Sequence, residues 1–311
     1  MVIILNPYAA GGKAIEKWKR IESNLFNRFG SIIIRLLNEE MSIKECISDL
    51  LKQGHREFIA GGGDGTVNLI LQHIIELVPS SQLSKIKIGA IGLGSSNDFH
   101  KPFTNKQMIN GIPCKFNFRL AAARDVGILS FPDHKEHIQQ KYWLINASIG
   151  ITAEANLFFN TPDHILHYLK KTRTNWAILY AAFRTIAFYR NRNMQIRIGK
   201  NKSKQISCTN MGIVKSPHFS GNFSYNTPFK TDNGQFYVNI CRDMHLLNTL
   251  NLLWNLSKSR FRGLPKTESF RSDHLTVTSD QPFAVEFDGE VIATKQVNFY
   301  IKRKMIGVCV C

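Results

Sequence analysis

The sequence predicts an α/β N-terminal domain on a parallel, doubly wound sheet, followed by an antiparallel, β-rich, sandwich-like C-terminal domain. Three observations predict it. Short apolar runs alternate with helix-period segments over the first third of the chain. From about Asp125 onward, strand-like runs joined by Gly, Pro, Asn and Ser turns take over. A chain of 311 residues with 43% apolar content is large enough for two cores.

Val2–Leu5 is an apolar run closed by Asn6-Pro7 and reads as the first strand. Ala14–Phe29 sets Ile15, Trp18, Ile21, Leu25 and Phe26 near one helical face. Ile32–Leu37, rich in β-branched residues, is the second strand. A helix over Ser42–Gln53 takes Ser42 as N-cap and Glu45 as its capping-box partner. Glu57–Ala60 is a third strand, and Ile86–Ile91 a fourth. Between them Thr66–Val78 is helical, with apolar residues at 67, 70, 71, 74, 75 and 78. Strand and helix alternating at this pace predict parallel pairing with right-handed crossovers, and ligands at the carboxyl ends of the strands. Beyond a boundary near 125–130, strands are expected over 142–147, 194–198, 206–214, 235–241, 275–279, 283–287 and 297–302, with one long helix at 163–189. The domains are therefore residues 1–125 and 126–311, with 297–311 the segment open to a return onto the first domain.

Charge narrows the function classes. Residues 1–125 hold 16 Lys/Arg against 11 Asp/Glu, a net of +5, and residues 126–311 hold 24 against 12, a net of +12. From Asp163 to Lys204 there are ten bases and one acid. Such a surplus implies an anionic partner: nucleic acid, a phospholipid surface or a phosphorylated substrate. No RNA-recognition, KH or zinc-finger signature accompanies it, so nucleic acid is not the expected partner. No apolar run approaches the ~18–20 residues of a membrane span, and Met1–Leu5 is too short for a leader core. The six cysteines, at 46, 114, 208, 241, 309 and 311, form no C-x-x-C pair and no metal spacing, which fits a reduced, cytoplasmic setting. Cys309 and Cys311 alternate and would share one face of a strand.

Three glycine-rich loops carry the chemistry. Gly61-Gly62-Gly63-Asp64-Gly65-Thr66 lies between a strand and a helix, where glycines let backbone amides approach a ligand and the helix start favours an anion. It is neither a Walker loop nor G-x-G-x-x-G. Asn6-Pro7 with Gly11-Gly12-Lys13 follows the first strand, and Gly92 to Phe99 follows the fourth. Three such loops on one rim of a parallel sheet point to nucleotide phosphate.

In order and spacing these runs resemble the diacylglycerol kinase catalytic-domain superfamily, particularly its soluble bacterial lipid kinases, and more distantly sphingosine and ceramide kinases. The family's N-P…G-G, G-G-D-G-T, G-T-x-N-D-[FL] and late D-G-E segments correspond to Asn6–Gly12, Gly62–Thr66, Gly94–Phe99 and Asp288-Gly289-Glu290. Asp125-Val126-Gly127 resembles the D-[LV]-G step that opens the second domain. Ser95 replaces the usual Thr, Gly92 stands where Pro is frequent, and Asn233-Gly234 after Asp232 replaces an Asp-Gly pair. With Asn233 there and Lys230 nearby, the structural metal of some bacterial members is not expected.

The resemblance implies an ATP- and Mg²⁺-dependent kinase of a lipid hydroxyl, most readily diacylglycerol, with the nucleotide in the interdomain cleft. It implies nucleotide contacts from Asn6, Pro7, Gly12, Lys13, Gly62, Gly63, Asp64, Gly65, Thr66, Gly94, Ser95, Asn97 and Asp98. Asp288 is the first choice of general base and Asp64 the rival; Asp64 or Glu290 would hold the metal, directly or through water. Asp288-Gly289 is also an ordinary hairpin signal, and Asp98 equally a loop cap. His100 reads as a surface or loop residue, and His164 and His167 as non-ligands. A lipid acceptor calls for peripheral docking on an anionic membrane. Helix 163–189 offers Ile165, Leu166, Leu169, Trp176, Ile178, Leu179, Phe183 and Phe188 among Lys170, Lys171, Arg173, Arg184 and Arg190, or else packs on the sheet. The Phe219–Phe229 segment reads as core, or as an acyl pocket. A sphingoid-base kinase is the nearest alternative. A basic nucleic-acid-binding protein or a catalytically silent lipid- or nucleotide-binding protein are the others, and the retained Asp64, Asp288 and Glu290 speak against silence. The sequence carries no signal for oligomeric state.

Overall fold

A computed structural model describes every residue outside 38–41, 173, 200–202, 230, 231 and 311. Arg173, Lys230 and Cys311, and the side chains of Lys171 and Ile178, thus lie outside what is described. The chain forms two units, Met1–Val126 with Arg303–Cys311, and Gly127–Lys302.

In the first unit β1 (Val2–Leu5) is buried along its whole length, as a strand covered on both faces must be. It is followed by α1 (Ala14–Lys19), α2 (Glu22–Phe29), β2 (Ile33–Leu36), α3 (Ile43–Lys52), β3 (Glu57–Gly62), α4 (Asp64–Leu77) and β4 (Lys87–Gly92). β1 lies between β2 and β3, and β3 pairs with β4, all parallel. Ile3, Leu5, Ile59 and Ile91 meet Trp18, Ile21 and Leu25 on one face, while α4 packs on β3 and β4. Because the chain runs from β1 to β2 on one side and returns to β3 on the other, the carboxyl ends of β1 and β3 border a topological switch point. Two short strands, β5 (Met108–Ile109) and β6 (Ile112–Lys115), form a hairpin, and β6 pairs antiparallel with β4.

The expected helix over Ala14–Phe29 is two helices. Ile21 leaves the helical region at φ −120°, and its amide bonds to Trp18 O at 2.9 Å. Ser42 starts α3 but makes no side-chain cap bond, so the capping box is not formed.

The second unit opens within β7 (Ala122–Pro132), where the Trp143 ring lies so close over Gly127 that a Cβ would come within 2.0 Å of it. Then come β8 (Ile138–Trp143), β9 (Asn146–Gly150), α5 (Ile151–Asn160), α6 (His164–Thr172), α7 (Thr174–Phe188), β10 (Arg192–Ile198) and β11 (Lys204–Val214). The short β12 (His218–Phe219) and β13 (Phe223–Ser224) precede β14 (Phe236–Arg242), α8 (Leu246–Ser257), β15 (Thr267–Ser272), β16 (His274–Phe287) and β17 (Glu290–Val308). Within the unit β15, β14, β11, β10, β16 and β17 follow one another antiparallel, and β9 pairs with both β11 and β16. Trp143, Phe236, Phe283, Phe287 and Phe299 fill the core. The fold is thus the predicted one: parallel α/β, then antiparallel and β-rich.

Details differ. The strand expected at 142–147 bends at Leu144 and Ile145, between β8 and β9. The runs 275–279 and 283–287 are one strand with a register shift between Thr278 and Phe283. The helix at 163–189 is α6 and α7, and two more helices, α5 and α8, are present. The last residues of β17 run parallel to β4, Gly307 opposite Lys87, in the first unit. Cys46, Cys114, Cys208, Cys241 and Cys309 are reduced and buried. No helix among the described residues is long and apolar enough to cross a membrane.

Candidate active site

The first-unit loops interlock through backbone and side chain. Asn6 leaves β1 with its amide on Gly61 O at 2.8 Å. Its side chain donates from Nδ2 to Thr66 Oγ1 at 3.0 Å, while Oδ1 accepts the Tyr8 amide. Gly62 O accepts the amides of Leu93 and Gly94 at 2.8 and 3.1 Å, joining the second loop to the third. Glycines are required here by crowding. A Cβ on Gly94 would stand 2.4 Å from Gly63 Cα, and one on Gly62 would stand 2.2 Å from Thr66 Oγ1.

Asn97 and Asp64 hold the third loop from inside. Asn97 sits at φ 51° and ψ 42°, a left-handed conformation that Asn tolerates. It donates from Nδ2 to Gly92 O and Gly94 O and accepts the Gly94 amide, at 3.1, 3.2 and 3.1 Å. Asp64 is half-buried at the start of α4, and its carboxylate accepts the amides of Asp98 and Phe99 at 3.0 and 2.9 Å. Asp98 is buried and paired with Lys101 Nζ at 2.7 Å. Asn97 and Asp98 thus brace the third loop, on which Ser95 is exposed; on the first loop Gly12 and Lys13 are exposed and Pro7 half-buried, and on the second Gly63 and Gly65 are half-buried.

The sequence reading missed Lys17. From α1 its Nζ donates to Leu93 O at 3.2 Å and Gly94 O at 2.6 Å, tying the first helix to the third loop. Burial, then Arg20 and Lys13 nearby, push its pKa down. The only sequence signal was a second lysine one turn beyond Lys13. His100, expected to be a surface or loop residue, lies in the loop after β4 but is buried there. It is 2% exposed, its Nδ1 has no hydrogen-bond partner, and burial, helped by Lys115, lowers its pKa to about 3. It is a neutral packing residue beneath Gly92.

The second unit holds the other predicted carboxylates. Asp288 and Gly289 both have positive φ, 45° and 96°, and Phe287 pairs with Glu290 across them. That is the two-residue turn of a hairpin. Asp288 is 3% exposed, and its carboxylate accepts three amides: Leu144 at 2.5 Å, Ile145 and Asn146 at 3.0 Å. The bend at Leu144–Ile145 supplies two of these donors and the first residue of β9 the third. Glu286 braces the same turn, accepting from Gly289 N and Ser148 Oγ at 2.9 Å each. Glu290 is exposed. Asn233 accepts the Gln235 amide, and no group of three His, Cys, Asp or Glu suited to a metal occurs among the described residues.

A parallel sheet with interlocked glycine loops at its strand ends, followed by an antiparallel β-rich unit, is a fold shared with solved bacterial structures. Residues 1–123 match the diacylglycerol kinase catalytic domain. Over 294 residues it is 20% identical to a Streptococcus pneumoniae protein named "Putative lipid kinase", covering 93% of this chain and 90% of that one. The fold matches a diacylglycerol kinase structure from Bacillus anthracis with a TM-score of 0.67 at 12% identity, over 100% of this chain and 96% of that one. A second structure from the same strain reaches 0.70 at 14% identity, with the same coverage.

Proposed function

We propose that the protein is an ATP- and Mg²⁺-dependent lipid kinase that phosphorylates diacylglycerol to phosphatidic acid. The observation that carries this reading is the interlocking of the Asn6, Gly61–Thr66 and Gly92–Asn97 loops at the carboxyl ends of adjacent parallel strands. Backbone amides of these loops and the first turn of α4 suit a polyphosphate, and Lys13, exposed beside them, adds a point charge. In the reaction the lipid hydroxyl oxygen bonds to the γ-phosphorus, the bond to the bridging β,γ-oxygen breaks, ADP leaves, and the hydroxyl proton passes to a carboxylate.

Between the two candidate bases, the surroundings favour Asp64. Both carboxylates accept backbone amides, but Asp64 is half-buried whereas Asp288 is 3% exposed beneath a tight turn. We assign Asp288 as a positioning residue that fixes the hairpin carrying Glu290. The described residues suit magnesium as an ion that keeps its waters. Asp64 is a half-buried carboxylate at the start of α4, a hard oxygen donor of the kind the ion takes, and Glu290 is exposed to solvent. Asp64 or Glu290 would hold the ion directly or through water, and when bound it would neutralise charge on the β- and γ-phosphates. The net charge of +12 over residues 126–311 suits an anionic membrane as the place where the lipid is met.

The test is transfer of labelled γ-phosphate from ATP to a panel of diacylglycerol, sphingosine and ceramide, with and without a chelator. The expected result is chelator-sensitive label on diacylglycerol. Label on sphingosine alone would move the acceptor to a sphingoid base. No label on any lipid, with salt-sensitive RNA binding, would remove the kinase reading.

A further inference from the structure

Helix α8 was not foreseen, and its composition is unusual for a helix at a surface. It has no charged residue in its twelve positions. Its inner side sets Leu252 and Leu256 into a cluster with Phe219, Tyr225 and Phe261. Its outer side exposes Leu246, Leu247, Leu250 and Trp254 at 48, 79, 42 and 63%. A surface helix ordinarily turns charged residues to water, and a contiguous exposed apolar row marks an interaction surface. The neighbouring α7 exposes Trp176, Leu179 and Phe183 at the same i, i+3, i+7 spacing as Leu247, Leu250 and Trp254.

The segment after α8 supplies the complement. Between Asp243 and Glu268 the charged residues are Lys258, Arg260, Arg262 and Lys266, all basic and all exposed. Lys258 Nζ lies 4.0 Å from the centroid of the Trp254 ring. An aromatic ring with a cation folded over it is the arrangement of an interfacial anchor, ring at the acyl boundary and cation among headgroups.

We propose that α8 is a membrane-docking blade: its outer row enters the interface of an anionic bilayer, and the basic segment 258–266 binds the headgroups. This rests on the lipid-acceptor reading above and names the surface through which that acceptor is reached. A second copy of the chain fits less well, since a symmetric contact through α8 would bring like-charged basic segments together.

The test uses the full chain carrying Trp176→Phe, which leaves Trp254 as the exposed tryptophan because Trp18 and Trp143 are buried. Vesicles are phosphatidylcholine with or without phosphatidylglycerol. The readouts are co-sedimentation, Trp254 emission and its quenching by brominated acyl chains. We expect binding to phosphatidylglycerol vesicles, weakened by salt, with a blue-shifted and quenched Trp254. Leu247→Glu with Leu250→Glu should lower partitioning at least about tenfold, and Lys258→Ala or Arg260→Ala about fivefold each. These positions are exposed, so circular dichroism should be unchanged. Unaltered vesicle binding in the double variant, or an unshifted Trp254, overturns the inference. So does a wild-type dimer in lipid-free solution that the double variant abolishes.

A kinase arm separates the two claims. Phosphorylation of monomeric short-chain diacylglycerol should be equal in wild type and double variant. If it is, and vesicle binding does not respond to the double variant, only the α8 assignment fails. If no lipid is phosphorylated while vesicle binding behaves as expected, α8 stands as a docking surface and only the kinase reading fails.

Discussion

Asp288→Asn is expected to lower the stability of the second unit by about 3 kcal/mol, or roughly 10 °C in its unfolding midpoint. The carboxylate accepts three amides from Leu144, Ile145 and Asn146 at a site 3% exposed. An amide side chain turns an NH₂ group toward those donors and leaves at least one buried N–H without an acceptor, and the charge assistance is lost as well. Thermal unfolding by circular dichroism, paired with turnover measured well below the midpoint, separates the roles. The expected outcome is a lowered midpoint with turnover reduced only in part. An unchanged midpoint with turnover abolished and ATP affinity retained would make Asp288 the base.

Gly94→Ala should weaken ATP binding roughly 5- to 150-fold while the fold persists. The new Cβ would stand 2.4 Å from Gly63 Cα and 3.1 Å from Gly63 N, backbone atoms that cannot swing away as a side chain does. Relief requires the Gly61–Thr66 and Gly92–Asn97 loops to part, and overpacking of this kind costs about 1–3 kcal/mol. Since about 1.4 kcal/mol is tenfold in affinity, the loss falls in that range. Calorimetric titration with ATP checks it, and an affinity within twofold of wild type would show that the loops need not touch to bind.

What was legible in the sequence followed the range of the interaction. β1, β3, β4 and α4 carry their signals locally, in apolar runs and in glycines at fixed offsets, and each element stands within a few residues of its expected bounds. The convergence of Asn6 with Thr66 and of Gly63 with Gly94 was legible because a parallel sheet puts successive strand ends on one rim. The three amides on Asp288 were not, since they come from 142 to 144 residues away, out of a bend in what read as one strand. The burial of His100 was hidden for a similar reason: it depends on what folds over the histidine, here the Gly92 loop. α8 was missed because apolar residues on both its faces blur the helical period, and Asn248, Asn251 and Asn255 resemble turn signals. Lys17 carries no motif, and its role exists only once α1 lies beside the third loop.

The most direct measurement of the central claim is amide chemical shift on a selectively ¹⁵N-labelled chain titrated with ATP and Mg²⁺. Residues after β1, at the start of α4 and after β4, represented by Gly12, Gly63, Gly65 and Ser95, should shift together along one saturation curve, with unlabelled ADP competing at the same sites. Shifts confined to one loop, or separate curves for the three, would contradict a single polyphosphate held by all of them.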